Sequence, residues 1–561
     1  MSTQILRPVA SVTVTDENDE DLEVVADDAR VVVDSGAVPY GSATVQVPLI
    51  APETIEVIDP REDVRATVAI GEEGDTPRVF DLAVRSRRVD HKAKRIEMQL
   101  ATDEALLQDY APLTDDDTPR DHEASLRDLI DYVLGVVIPG AELEAGSTDA
   151  DLTAAWPLTN LHPNPSVETN LDGWTNGSNA TGITRLNAYA DDGDYSVRAA
   201  AAAAGGFWID YASNPIGVRE GYLYSCTARM RVAVGATERT GLVMIRWYDV
   251  NGTQIKDTTG AEVSLSNSGY VNVPVTGTAP PGAVKVSLHF RLNDASSGQY
   301  LFVDNVILNE GVPADPFNGD DADDALYIYS WDGETAHASP SSRTPVVERL
   351  PEMFTWPSGI SAWEFLQPLT AVAGLRLYCD ETRAWRLIDP AEFTSPGRVT
   401  LSPLNSTEGI DEISRENADI YCTGVVVKYS WTDPTGTAKT ATDTAGTAGR
   451  VFIVELNRPY PGPGVAAAIL ARRQGQGRTQ DVTALAVWGA QPGQEASISL
   501  PGTVEQIGRV ASVEWELPAG LMRVGTTGLV DVPPEAWLAL DPGESWLDSP
   551  IGESWTGEVV A

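Results

Sequence analysis

In the stretch "VSLHFRL", Val286, Leu288, Phe290 and Leu292 alternate with Ser287, His289 and Arg291. Successive side chains of a strand point to opposite faces, so this period of two predicts a half-buried antiparallel strand with one apolar and one polar side. The segment "VMIRWYDVNGTQI" sets the turn dipeptide Asn251-Gly252 between two apolar runs, which is a hairpin signal. Short strands of this kind follow one another from about residue 162 to 312 and together predict a β-sandwich. The stretch "NPSVETNLDGW", residues 164–174, opens that series like the start of a self-contained module.

The same alternation fills residues 1 to about 100, in "SVTVT", "ARVVVDSG", "SATVQVPLI", "RATVAIG", "RVFDLAVRSRRV" and "KRIEMQLAT", with Asp, Gly, Asn and Pro between the runs. It returns over 398–530 in "GVVVKYSW", "RVFIVEL", "DVTALAVWG", "ASISL" and "VASVEWEL". Between these regions the period changes. Leu126, Leu129, Ile130, Val133 and Leu134 share one helix face, which "IPG" ends. Trp363, Leu366, Leu369 and Val372 lie near one face of a second helix, in which Pro368 predicts a kink or an early break. "LRLYCDETRAWRLIDP" reads as two strands joined by "DETR", and "GVAAAILARRQG" as a further helix. The Pro-, Asp- and Ser-rich stretch after residue 312 reads as a connector with local turns.

A chain of 561 residues exceeds what one hydrophobic core holds, so several units are expected. Hydrophobic and charged contents of 42% and 22% are those of folded soluble protein, no run is long and apolar enough for a membrane span, and no secretory signal is visible at the start. Cys226, Cys379 and Cys422 are widely spaced and lack CxxC pairing, which predicts small buried apolar residues and neither disulfides nor zinc. The 82 acids and 39 bases give a formal charge of −43, which disfavours binding to phosphate and suits a surface that DNA passes without adhering. Against that background "RSRRVDHKAKR" concentrates Arg85, Arg87, Arg88, Lys92, Lys94 and Arg95, as a hairpin with a solvated basic face or as a contact for an acidic neighbour.

Catalytic signatures are missing: there is no HExxH, GxSxG, Walker A loop, dinucleotide fingerprint or EF-hand loop, and the five histidines have no metal-ligand spacing. Any one of the 82 carboxylates is first a solvated surface residue, although a glycosidase-like acid pair is invisible in one sequence. The sandwich region holds Trp174, Trp208, Tyr211, Tyr222, Tyr224, Trp247, Tyr248 and Tyr270 among Ser, Asn and Thr. Sugar rings stack their C–H bonds on exposed aromatic faces while Asn, Arg and His bind the hydroxyls, so such a composition can build a glycan site. Trp247 reads as core; Trp208 and Tyr211 are open between core and site, with His289 and Arg291 as polar candidates. The acidic, Pro-rich end repeats GESW and spaces Trp537, Trp546 and Trp555 nine residues apart, as anchors for a partner or as a tail folded over its own domain.

The ordered set "NPSVETNLDGW", "GDYSVRA", "YLYSCTARMRV", "IRWYDVNGTQI", "APPGAVKVSLHF" and "YLFVDNVILNEG" resembles the jelly-roll carbohydrate-binding modules that accompany xylanases and cellulases and recur in bacteriophage tail proteins. The resemblance covers about a quarter of the chain. It implies a structural calcium joining first and last strands, for which Glu168 and Asp304 stand at the matching acidic positions. "DPFNGDDADDALYIYSWDGETAHASPSSRT" resembles a segment following such modules in minor tail proteins of actinobacteriophages. "RIEMQLATDEALLQDY", "SLRDLIDYVL" and "SAWEFLQPLTAVAGLRLYCDETRAWRLIDP" resemble hub proteins of phage tail tips and baseplates, whose β-barrel domains form a trimeric ring.

The expected fold is therefore mainly β: hub-type β-barrel domains with a small α+β part and an inserted β-sandwich of jelly-roll type. The boundaries read as a first barrel domain over 1–105, a helix-containing segment over 106–160, the inserted module over 161–312, connector and α+β segment over 313–400, a second β-rich domain over 401–530 and an extended tail over 531–561. The resemblance implies a non-enzymatic virion protein of the tail tip, assembled in the host cytoplasm. Its implied partners are two further copies in a homotrimer, other tail proteins and host cell-surface polysaccharide, with DNA passing through unbound and no stable membrane insertion. The rival readings are a secreted glycan-active enzyme with an appended binding module, and a hub whose module is purely architectural.

Overall fold

The computed structural model describes residues 8–532 apart from 16–20, 51–52, 62–63, 391–392, 407–410, 415–420, 433–437, 475–477 and 500–503. Trp537, Trp546 and Trp555 lie outside the described residues. The chain forms two compact units: Met1–Ala154 with Arg349–Ala561, and Ala155–Glu348. No described helix is long and apolar enough to cross a membrane.

The first unit is organised by a 13-stranded sheet whose hydrogen-bonded path runs from Asp21–Val25 to Asp411–Ser414. The sequence reading separates 1–105 from 401–530; the structure joins them in that one sheet. Strand Asp28–Asp34 pairs antiparallel with Gln506–Leu517 in the register Val31↔Trp515 and Val33↔Val513. The early strands also curl. Ala26 N donates to Ala10 O and Asp27 N to Gln46 O, so one short link touches two strands that are far apart along the path. Inside the curve lie Val12, Val14, Val31, Val33, Val45, Val68, Ile70 and Leu82, all buried. No ladder closes the path into a barrel among the described residues.

The basic hairpin forms as Arg78–Asp90 with Arg95–Ala101, and part of its charge is neutralised within the chain. Arg87 reaches Asp59 at 3.1 Å and the carbonyl of Ile58 at 2.5 Å, Arg95 meets Asp27 at 3.3 Å, and Arg85 pairs with Asp109. Helix Leu126–Val137 buries all five residues of its apolar face and is capped by the Ser125 hydroxyl, which accepts from Asp128 N. The second helix, Ala362–Val372, runs through Pro368. A proline cannot donate to the carbonyl four residues back, here that of Glu364; Arg458 Nη1 donates to that carbonyl instead, at 3.3 Å. A capping box between Ser361 and Glu364 fixes the helix start. The "DETR" hairpin forms as Arg376–Cys379 and Trp385–Ile388, and the three cysteines are free and buried.

The second unit is a sandwich of a five-stranded and a six-stranded antiparallel sheet. Its interior takes Val286, Leu288, Phe290 and Leu292 from one strand, Val243, Ile245 and Trp247 from the next, and Cys226, Ala228 and Met230 from the opposite sheet. The Asn251-Gly252 turn links Arg239–Tyr248 to Gln254–Thr259, with Asp249 accepting from the amides of Asn251 and Thr253. The stretch read as connector holds two strands, Tyr327–Trp331 and Ser341–Pro345, which make a three-stranded sheet with Leu158–Asn160. Its aromatic residues give the connector a small core of its own: the Arg343 guanidinium lies 4.5, 5.4 and 5.6 Å from the rings of Tyr327, Phe317 and Trp156.

Candidate functional site

The six-stranded sheet runs in the order Gln254–Thr259, Arg239–Tyr248, Lys285–Ala295, Gly205–Gly217, Trp174–Asn176. Its inner face is apolar, so the residues between the core positions form the outer face. Register places Trp208 opposite Arg291 and Arg291 opposite Leu242; one step along, Asp210 faces His289 and His289 faces Met244; beyond that, Ser287 faces Arg246 and Arg246 faces Asp257. Three of the four sugar-site candidates, Trp208, His289 and Arg291, therefore share one outer face.

The fourth does not. Tyr211 has the parity of Phe207 and Ile209, and it sits in the core at 1% exposure. Its ring lies 4.1 Å from His162 and 5.6 Å from Trp174. Gly173, at φ +88, accommodates it: a Cβ there would meet the Tyr211 ring at 2.1 Å. Alternation along "GGFWIDY" was the signal that separates Trp208 from Tyr211.

On the face itself, hydrogen bonds hold most groups rigid. His289 Nδ1 pairs with Asp210 Oδ1 at 2.8 Å, His289 Nε2 with Ser287 Oγ at 2.7 Å, and Ser287 Oγ with Tyr248 Oη at 3.1 Å. Arg246 binds Asp257 through two bonds of 2.9 and 3.1 Å. Trp208 is half-buried, 6.3 Å from the His289 ring in an edge-on arrangement and 5.3 Å from the Arg291 guanidinium. Asp210 was not singled out from sequence, and Ser287 and Tyr248 stand there only as a polar-face residue and as one of the sandwich aromatics.

A Ser–His–Asp string has the order of nucleophile, base and orienting acid, yet this one lacks the rest of such a site. Ser287 is fully buried. At Ser287 the strand pairs with Arg246 on one edge, while on the other the ladder to Gly205–Gly217 is broken by a bulge between Tyr211 and Ile216. The string is suited to fixing the His289 ring and the donors and acceptors around it.

Of the calcium candidates, Asp304 lies on a strand of the opposite sheet, Tyr300–Glu310, and Glu168 in the loop before Trp174–Asn176. Asp304, 1% exposed, accepts from the amides of Asp191, Asp192 and Asn305 at 2.6, 3.3 and 2.8 Å. Glu168 accepts from the amides of Asp194 and Tyr195 at 3.0 and 2.9 Å. Burial holds the Asp304 carboxyl well above the usual carboxylate range, with Asp192 adding repulsion; burial also raises Asp192, aided by Asp321 and Glu168. An oxygen-seeking cation needs six to eight donors, and in this structure both side chains accept loop amides. Among the described residues no three His, Cys, Asp or Glu side chains are arranged to hold a metal. Both acids act as clamps on the 191–195 loop.

No protein-family model matches the chain, and no curated protein matches it. Solved structures that match include the C-terminal family 22 carbohydrate-binding module of Clostridium thermocellum Xyn10B, at 15% identity over 28% of this chain and 97% of that one, with a TM-score of 0.24. A second is the xylan-binding domain CBM22-1 of Paenibacillus barcinonensis Xyn10C, at 12% identity over 29% and 98%, TM-score 0.22. A third is the enzymatically active domain of tailspike protein 4 from bacteriophage CBA120, at 19% identity over 27% of this chain and 21% of that chain, TM-score 0.23. At this degree of likeness the ligand has to be argued from the chain's own side chains.

Proposed function

We propose that the chain is a non-catalytic structural subunit of a phage tail tip that presents residues 155–348 as a glycan-binding branch toward the host surface. The observation that carries the glycan part is the row of half-buried Trp208, Arg291 and Asp210 on one outer sheet face, with buried His289 between them: an aromatic platform flanked by hydrogen-bonding groups held in place by their neighbours. The scaffold part is supported by the ladder between Asp28–Asp34 and Gln506–Leu517, which joins strands from before and after 155–348 in one sheet and makes that segment an insertion between them. It is also supported by the charge of −43, which gives DNA no foothold, and by the hub-like flanking segments.

In this reading the chain assembles as a homotrimer with other tail proteins and resides in the virion. Full-length protein on an array of host wall polysaccharides should bind, and Trp208→Ala should abolish most of that binding while leaving thermal unfolding intact. Imaging of the intact particle tests the location, and mass measurement with neighbouring tail proteins present tests the trimer; a monomer there removes the hub.

A further inference from the structure

Arg291 differs from the other polar groups of its sheet face. Arg246 has Asp257, and His289 has Asp210 and Ser287. Among the described residues no carboxylate lies within ion-pair reach of Arg291 and none of its nitrogens has a hydrogen-bond acceptor; its Nε is buried and unsatisfied. Acids outnumber bases 82 to 39 in this chain, so most arginines could find a carboxylate. A half-buried guanidinium without one loses hydration that nothing in the protein restores, because an aromatic face replaces only part of it. The backbone nevertheless makes room for it: a Cβ on Gly206 would come within 2.8 Å of an Arg291 Nη and 2.9 Å of its Nε, so the glycine two residues before Trp208 leaves a notch in which the guanidinium lies.

Resting on the glycan-binding reading above, we propose that Arg291 is a specificity-determining residue, and that the preferred glycan carries an anionic substituent, a uronate carboxylate or a phosphate, beside the sugar ring stacked on Trp208. The planar fork of a guanidinium matches both groups through paired N–H donors. Asp210, on the strand opposite Arg291, is engaged by His289, which leaves the fork to the ligand. The preference should weaken with salt for an exposed pair.

Binding of the full chain to three probes tests this: oligogalacturonate, poly(glycerol phosphate) and neutral xylo-oligosaccharide, with wild type, Arg291→Gln, Arg291→Lys and Trp208→Ala, each checked for an unchanged thermal midpoint. Wild type should prefer one anionic probe to the neutral one by tenfold or more, and which of the two wins identifies the source of the charge. Arg291→Gln should lose that preference while keeping any neutral binding, and Arg291→Lys should fall between. If wild type binds neutral and anionic probes equally and Arg291→Gln changes neither, the anion proposal falls and glycan binding stands. If no probe and no host polysaccharide binds, both fall.

Discussion

The two sheets of the sandwich treat their outer faces differently. On the five-stranded sheet, residues 187–195 lie over the face and are fastened to it: Tyr189 packs edge-on against Phe302 at 4.9 Å, Tyr270 Oη donates to Tyr189 O at 2.6 Å, Arg229 binds Asp191 through 2.7 and 2.9 Å bonds, and Asp304 takes the amides of Asp191 and Asp192. On the six-stranded sheet the polar groups bond chiefly to one another across strands, and Trp208 and Arg291 remain half-buried. One face uses its charges to hold its own chain, and the other leaves an aromatic ring and a cation without protein acceptors. Rigidity of this kind is what a binding face needs, since ordering costs are then met before the ligand arrives.

The largest test breaks the sealed face. Asp304→Ala removes the acceptor of three amides and leaves them without replacement in a buried setting, which should cost about 3 kcal/mol. Asp304→Asn keeps one acceptor oxygen and should cost about 1 kcal/mol. Thermal unfolding measures both, and proteolysis should gain a cut within 187–195 in the alanine variant only. A cost below about 1 kcal/mol in both variants would mean that the loop is held by its aromatics, not by Asp304.

Acidity gives the next effect. For Asp304 and Asp192 the folded-state pKa lies above the unfolded one, so their contribution to stability is full below the unfolded value and is lost as pH rises through the folded one. His162 has the opposite slope. Burial pushes its imidazole down from 6.5 to about 3, so its contribution is full above 6.5 and is lost on acidification by about 1.4 kcal/mol per pH unit. His162→Phe keeps a ring beside Tyr211 and should flatten the acid side of a plot of midpoint against pH. An unchanged profile would show that His162 takes up its proton as readily folded as unfolded.

Trp208→Ala probes the open face directly. Losing the stacking platform should weaken glycan binding at least tenfold, about 1.4 kcal/mol, while changing stability by less than about 1 kcal/mol. Equal losses in stability and affinity would make Trp208 a packing residue like Trp247.

Much of this was legible because alternation is a local property. Val286, Leu288, Phe290 and Leu292 predict their own burial, and parity assigns His289 and Arg291 to the other side. What was not legible depends on distant partners. Nothing near Val31 announces Trp515, its neighbour across a ladder nearly the length of the chain away. Pro368 locally forbids the bond that Arg458 replaces from another element. The connector's strands were hidden because Asp and Ser dominate its composition while a few aromatics around Arg343 supply the burial. The loop amides that Glu168 and Asp304 accept are set by backbone conformation, which side-chain identity does not report.

Ser287→Ala should have the smallest effect and separates the two remaining roles of the polar string. Removing the hydroxyl leaves His289 bonded to Asp210 but takes the partner from His289 Nε2 and from Tyr248 Oη. If the string only orients the face, stability should fall by about 1 kcal/mol and glycan affinity by two- to threefold, because Trp208 and Arg291 keep their places while the His289 ring gains freedom. If Ser287 were a nucleophile, wild-type protein would release acyl or glycosyl product from host polysaccharide and the variant would not. A fully buried hydroxyl lacks the access for that, so wild type and variant should be equally silent in a release assay while differing slightly in binding.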